Sequence, residues 1–308
     1  MKLWDDLAPL SEKHGLSRMA DQIQAAVVEG IHLSKRVTST PIDSSRRWFG
    51  LFKGKSQIQQ AVQPAAPGLS KLGGVPDLPP EIEWPSISRK PLGFIAQIDC
   101  AMVVQVSEAS LLPRSGMLFF FYDFVEQPWD GASPAEDSGR AVIYVADLPN
   151  PRSAIVPASI AKETILLPEF PIDLRVVPTL PGYDTEEGAS LAFTEQERDA
   201  YFELLADMDA QFMGNQPRHK LGGFAENIQG DVRAEFAAAL DSAGKPSGTA
   251  DWAKATEKAT EWELLLQIDS DDQLNVMWGD AGMIYFGLRR EDLTSARFEN
   301  SRVILQCS

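Results

Sequence analysis

The tripeptide Gln-Ile-Asp occurs twice in this chain, at Gln97 to Asp99 and at Gln267 to Asp269. Alternate side chains of an extended strand share a face, so each copy sets an amide beside a carboxylate, Gln97 with Asp99 and Gln267 with Asp269. Two such strands facing a shared cleft would converge four polar groups on a bound molecule. The plainer expectation is that these side chains satisfy backbone groups of neighbouring Pro- and Gly-rich loops. His219, the one histidine of the region that carries the repeats, adds a candidate general base. It would need a carboxylate, Asp269 or Asp280, and would then point to a hydrolase. No G-x-S-x-G elbow accompanies it, and a packed or capping histidine is the simpler expectation. The acidic stretch DSDDQLNVMWGD puts Asp269, Asp271 and Asp280 at positions one, three and twelve of an EF-hand loop. Gln273 is a poor fifth ligand there and Leu274 replaces the required glycine, so neither metal nor cofactor is expected. A hairpin turn at Ser270, Asp271, Asp272 and Gln273 between two strands, LLLQI and LNVMW, is read instead. Trp278, in the same stretch, completes the candidate ligand-binding set of Gln97, Asp99, His219, Gln267, Asp269 and Asp280.

The elements that must position these residues recur in order. KLGG stands at Lys71 and again at Lys220, QID at Gln97 and Gln267, GMLFF at Gly116 against GMIYF at Gly282, and RAVIYV at Arg140 against RVILQC at Arg302. Ordered self-similarity with variable loops is the mark of an internal duplication. The glycine pairs permit positive φ and close backbone approach, but fit neither G-x-G-x-x-G nor the Walker pattern, so tight loops packed on a sheet are expected. FIAQIDC, GMLFFFYDF, RAVIYVADLP, WELLLQIDS, LNVMWGD, GMIYFGL and RVILQC read as strands from their aromatic and β-branched content. A helix over TEQERDAYFELLADMDAQF opens on Thr194 as N-cap with Glu197 as its capping-box partner, and a weaker helical pattern runs from Gln229 to Leu240. Leu16, Met19, Ile23, Val27 and Ile31 lie at helical spacing, predicting amphipathic helices through residues 3–37.

The formal net charge of −16 over 308 residues opposes nucleic-acid binding, which needs a concentrated excess of Lys and Arg, and permits a basic partner. Two cysteines, Cys100 and Cys307, are too few for a disulfide framework and predict reduced thiols. No run of about 18 apolar residues occurs, and the acidic N-terminus lacks a signal-peptide pattern, so a cytoplasmic location is expected. Lys35, Arg36, Arg46, Arg47, Lys53 and Lys55 face a single acid, Asp43, in a linker that also holds Trp48, Phe49, Leu51 and Phe52. Contact of the stretch from Arg46 to Lys55 with an anionic membrane is conceivable on that pattern, and packing against the body is the default.

KLGGVPDLPPEIEWP, PLGFIAQID, LPRSGMLFFF, HKLGGFAENIQGD and WELLLQIDSDDQLNVMWGDAGMIYFGLRREDL together resemble the YwqG-like bacterial proteins, a domain of unknown function, over most of residues 68–308. The resemblance implies a mixed α and β fold rich in antiparallel strands and brings no activity, substrate or catalytic residue. The expectation is an α+β fold: a β-rich core of two internally duplicated antiparallel units with an N-terminal helical extension. Residues 1–67 would be that extension and its linker, 68–200 the first repeat and 201–308 the second. The expected role is a non-catalytic binding module for a protein partner, with toxin neutralisation one version, or for a small ligand between the repeats. The alternative is the His219 hydrolase.

Overall fold

The computed structural model describes residues 4, 7–36, 64–128, 139–163, 166–214, 216–242 and 250–308. Its frame is a sheet of ten strands, all paired antiparallel, in the order β12-β11-β10-β9-β1-β8-β2-β5-β6-β7. The strands are β1 (Val28–Lys35), β2 (Lys71–Leu72), β5 (Gly93–Asp99), β6 (Met117–Tyr122), β7 (Arg140–Val145), β8 (Phe170–Thr179), β9 (Lys220–Leu221), β10 (Trp262–Asp269), β11 (Met283–Arg289) and β12 (Arg302–Gln306). A separate two-stranded ribbon pairs β3 (Ser86–Ile87) with β4 (Lys90–Pro91).

The sheet curls until its edges meet. Arg140 on β7 donates from Nε to the Ser301 carbonyl beside β12, and the rings of Tyr144 and Phe298 lie 5.3 Å apart across the same seam. The result is a nearly closed, barrel-like sheet. Side chains from every part of it fill the inside: Leu33, Ile98, Phe120, Ile172, Ile268 and Phe286 belong to one buried cluster, with Phe120 and Phe286 in edge-to-face contact at 5.4 Å. Trp278 packs at one end of this core against Tyr122 and Phe124, with centroids 5.7 and 5.6 Å away.

Helices cover the outside. α1 (Ala8–Lys13), α2 (Ala20–Ala25) and the long α6 (Glu195–Phe212) share a cluster around Leu16, Tyr201 and Leu204. α7 (Val232–Ser242) and α8 (Trp252–Glu257) cover the outer faces of β10 to β12 through Phe236 and Trp262. The remaining helices are short: α3 (Cys100–Val106), α4 (Ala158–Glu163), α5 (Glu186–Ser190) and α9 (Arg290–Thr294). The capping box of α6 forms as its sequence predicts, with Thr194 accepting from the Glu197 N–H and the Glu197 carboxylate accepting from the Thr194 N–H.

Three expectations need correction. The helical spacing read over residues 3–37 holds for α1 and α2 and fails at residue 28, where β1 begins. Ile31 and Leu33 point into the barrel while His32 between them is buried on the other face, so the segment is apolar enough on both sides to mimic a helix. LNVMW is not a strand. Asn275 takes a positive φ, Asp271 and Val276 form only an isolated bridge, and β10 pairs with β11 instead. Finally, the longest strand, β8, has no counterpart among the predicted strands; Pro171 and Pro178 within it disguise it.

Candidate functional site

The two QID strands do not face a shared cleft. Four strands, β9, β1, β8 and β2, separate β10 from β5 in the sheet, and the space inside the barrel is filled by packed side chains such as Ile98 and Ile268. The glutamines are buried on the outer surface, each beneath its own loop. Gln97 accepts from the Asp77 N–H (2.9 Å) and donates to the Leu69 carbonyl (2.8 Å) and to Asp77 Oδ2 (2.7 Å). Gln267 accepts from the Glu226 N–H (3.0 Å) and donates to the Arg218 carbonyl (2.9 Å) and to Glu226 Oε2 (2.8 Å). Each amide thereby fixes a loop that carries a carboxylate back over the KLGG lysine.

The lysines complete the matched clusters. Lys71 Nζ lies 3.1 Å from Glu169 and 3.7 Å from Asp77; Lys220 Nζ lies 2.6 Å from Glu226. These carboxylates were missed in the sequence reading although a signal was present: Asp77 and Glu226 each stand six residues after their lysine, in KLGGVPD and KLGGFAE.

The aspartates of the QID pairs part company with the glutamines. Asp99 caps α3 by accepting from the Ala101 N–H at 2.9 Å, and its own N–H donates to Ser70 Oγ at 2.9 Å. Asp269 accepts from the Arg218 N–H (3.0 Å), and its N–H donates to His219 Nδ1 (3.1 Å). His219 thus stands where Ser70 does, immediately before KLGG. Because Nδ1 accepts a backbone hydrogen bond, the ring proton sits on Nε2 and is donated to Asp271 Oδ2 at 3.0 Å. The same carboxylate oxygen pairs with Lys35. Burial works to raise the Asp271 carboxyl, and the hydrogen bonds from His219 and Lys35 overcome it, holding the group well below its ordinary value. The histidine's carboxylate partner is therefore Asp271, not the Asp269 or Asp280 side chain, and neither ring nitrogen is available to accept a substrate proton.

Trp278 is buried, donating from Nε1 to the Asp269 carbonyl at 3.2 Å, and Asp280 is exposed. In the DSDD stretch, the Asp271 side chain accepts from the Gln273 N–H at 2.9 Å, a local turn closed by the isolated Asp271–Val276 bridge rather than the hairpin between two strands expected there. Among the described residues no group of three or more His, Cys, Asp or Glu side chains could hold a metal ion. Cys100 and Cys307 are free and buried, and burial, then the Asp99 charge, pushes the Cys100 thiol up to about 12. The basic stretch from Arg46 to Lys55, with Trp48 and Phe49, lies outside the described residues.

The two lysine clusters differ in what lies above them. Lys71 and Asp77 are sealed, with side chains 2% and 1% exposed. Above Lys220 a pocket of about 530 Å³ opens between the end of β8, the α6 face and the loop over residues 224–230. Arg218, Asp209, Glu226 and Asp184 bring charge into it, and Tyr183, Phe202 and Phe224 line it with rings. Tyr183 and Phe202 remain well exposed and meet edge to face at 4.8 Å. Arg218 reaches toward three acids, Glu226 at 3.3 Å, Asp209 at 3.6 Å and Asp269 at 3.7 Å, contacts longer than a strong charge-assisted hydrogen bond. Burial, then the nearby Glu226 charge, raises Asp209 to about 6, with Lys220 and Arg218 opposing the shift. None of Arg218, Asp209, Tyr183 and Phe202 was singled out in the sequence, because they come from separate elements with no shared spacing.

A second cavity, of about 390 Å³, borders the Gly222 and Gly223 pair on the side of β1. Its walls are mainly aliphatic, and its carboxylates are engaged, Glu29 by Ser107 Oγ at 2.8 Å and Glu263 by Arg290.

Residues 70–307 match DUF1963, a domain of unknown function. The chain belongs to that family. The match takes in both lysine clusters, the Arg218 pocket and every sheet strand except β1, which lies before it. No curated protein matches this DUF1963 chain. No helix among the described residues is long and apolar enough to cross a membrane.

Proposed function

We propose that this DUF1963 protein is a non-catalytic binding module that holds a small organic cation in the pocket above Lys220. The carrying observation is the pocket's composition. Asp184, Asp209 and Glu226 outnumber Arg218 and Lys220, Lys220 is engaged by Glu226, and aromatic rings line the wall. Loosely paired carboxylates beside aromatic faces are the chemistry that recognises an ammonium or guanidinium group. Arg218, tied through long contacts to three acids, is the chain's own example of such a group in place. The cation can belong to a free amine or to a basic side chain of a partner protein, for which an acidic exterior would accelerate encounter. The hydrolase alternative finds no support in the geometry, since both nitrogens of His219 are engaged.

The architecture that presents this pocket is, in our reading, a duplication with exchanged strands, and the YwqG-like resemblance belongs to the same proposal. One copy runs from β1 to β7 and the other from β8 to β12. Each copy's first strand lies beside the other copy's KLGG strand: Ile31 pairs with Leu221, and Phe170 with Leu72. The boundary between copies thereby moves from residue 200 to the start of β8.

Isothermal titration with spermidine and with agmatine at pH 7.5, and with an arginine-rich peptide as the protein-side probe, tests the reading. Saturable binding is expected for at least one probe. It should weaken at least fivefold in Asp209→Asn, and on acidification through about pH 6 as Asp209 is neutralised. No binding by any of these cations, or binding indifferent to Asp209→Asn, overturns it.

A further inference from the structure

The duplicated motifs RAVIYV and RVILQC place an arginine at the first residue of each edge strand, Arg140 on β7 and Arg302 on β12. These strands end the sheet, and no ladder joins them. Both arginines are buried, 6% and 9% exposed. Arg140 donates from Nε to the Ser301 carbonyl, but among the described residues its Nη1 and Nη2, both buried, have no hydrogen-bond partner. Arg302 donates from Nη1 to the carbonyls of Asn300 (3.3 Å) and Ser301 (3.1 Å), while its buried Nε has none.

No carboxylate among the described residues pairs with either. Asp292, whose charge acts favourably on Arg302, is already held by Arg289, Arg297 and Asn300. Burial, then the neighbouring Arg302 charge, pushes Arg140 down to about 9. Buried charge is ordinarily paired, and a guanidinium edge with both Nη groups free is the fork that grips an oxyanion in two parallel hydrogen bonds.

We propose that the β7–β12 seam binds a small oxyanion, a phosphate or carboxylate group, on the Nη groups of Arg140, with Arg302 supplying a second positive charge. This site is independent of the cation pocket above Lys220, which draws on other elements.

Thermal denaturation of the full chain in inorganic phosphate, in acetate and in chloride, matched for ionic strength, tests it. The midpoint should rise with phosphate or acetate by several degrees, along a saturating curve, and not with chloride. Phosphate acting alone assigns the group to phosphate esters, and acetate acting equally assigns it to carboxylates. Arg140→Met should fold, since it replaces an unpaired buried charge by an apolar chain, and should lose the response. Arg140→Lys, which keeps the charge and loses the fork, should bind at least fivefold more weakly. An equal response in Arg140→Met marks an adventitious ion only and overturns the proposal, as does a wild type indifferent to both anions.

Discussion

The two KLGG segments have the same backbone and opposite surroundings. Gly73 and Gly74 take φ of 64° and 71°, Gly222 and Gly223 take 60° and 67°. Around the first pair everything is closed: a Cβ on Gly73 would lie 2.1 Å from the Pro168 carbonyl oxygen, and one on Gly74 would lie 2.1 Å from the Glu169 carboxylate. In the second pair only the first glycine is open: a Cβ on Gly222 would meet nothing within 4 Å, whereas one on Gly223 would lie 2.6 Å from Thr179 Oγ1 and 3.0 Å from the Gly30 Cα. The difference traces to the strand lying alongside. The segment leading into β8 brings Leu167, Pro168 and Glu169 over the first glycine pair, with Glu169 also paired to Lys71. At the matching position β1 offers Gly30, which has no side chain to reach Lys220. The first cluster is locked by its neighbour, while the second has a pocket above the lysine and a smaller cavity bordering Gly222.

The sharpest test of that division is to remove each lysine. Lys71→Met strips from two carboxylates, one of them fully buried, the one cation that pairs with them among the described residues, and should destabilise by about 3–5 kcal/mol, the cost of breaking a buried ion pair. Lys220→Met leaves Glu226 with Arg218 at 3.3 Å, so a smaller loss of about 2 kcal/mol is expected, within the range for a charged hydrogen bond. Urea denaturation of both variants gives the difference, and equal losses would show that the second cluster is as structural as the first.

The glycines give a second, smaller contrast. Gly73→Ala combines a left-handed backbone with a collision against backbone and should lose about 3 kcal/mol or more, the range for strain at a special backbone position plus overpacking. Gly222→Ala carries only the left-handed penalty, about 1 kcal/mol. A Gly222→Ala variant as damaged as Gly73→Ala would mean that the cavity behind the glycines closes in solution.

How much of this was legible beforehand follows from which interactions are local. The α6 capping box lies within four consecutive residues, and the sequence alone predicts it. The recurring strand motifs were equally readable, since each is a short run with its own composition. β1 was not, because an eight-residue strand buried on both faces and a helix edge place apolar residues at overlapping positions. β8 was hidden by its prolines, which a strand tolerates where pairing is one-sided: β2 pairs only with Phe170 and Pro171, and beyond them β8 is laddered to β1 alone. The glutamines satisfy loop backbone groups as the plainer expectation had it, and only the shared cleft fails, because alternation shows which residues share a face and cannot show which face closes into the barrel. The pocket itself was out of reach. Tyr183, Phe202, Asp209 and Arg218 meet only through the packing of α6 beside β8, a relation with no period in the chain.

The exchanged strand can also be probed by pH, where the expected effect is smallest. His32 on β1 is buried beside β9, donating from Nε2 to the Pro217 carbonyl at 3.1 Å and accepting at Nδ1 from Ser34 Oγ at 3.0 Å. Burial holds its pKa below the ordinary 6.5, with the positive charge of Arg175 and the nearby His219 adding to the shift and the Pro217 hydrogen bond opposing it. The folded protein therefore favours the neutral ring. Its contribution is complete while the unfolded histidine is also neutral, above about pH 6.5, and declines as the pH falls below that value, because the unfolded chain then takes up a proton that the folded one resists. Asp271, held low by His219 and Lys35, loses its own contribution only under more acidic conditions, so the two are separable along the pH axis. His32→Gln, which keeps a polar group without the titration, should flatten the fall in stability that sets in below about pH 6.5. The corresponding residue of the other copy is Pro171, which does not titrate, so an acid loss confined to β1 should loosen the open half first. Hydrogen exchange at pH 5.5 should then show protection falling at Leu221, opposite Ile31, before it falls at Leu72, opposite Phe170. Simultaneous loss at both positions would mean that the two halves unfold as one unit and that the exchanged strands bind them into a single cooperative sheet.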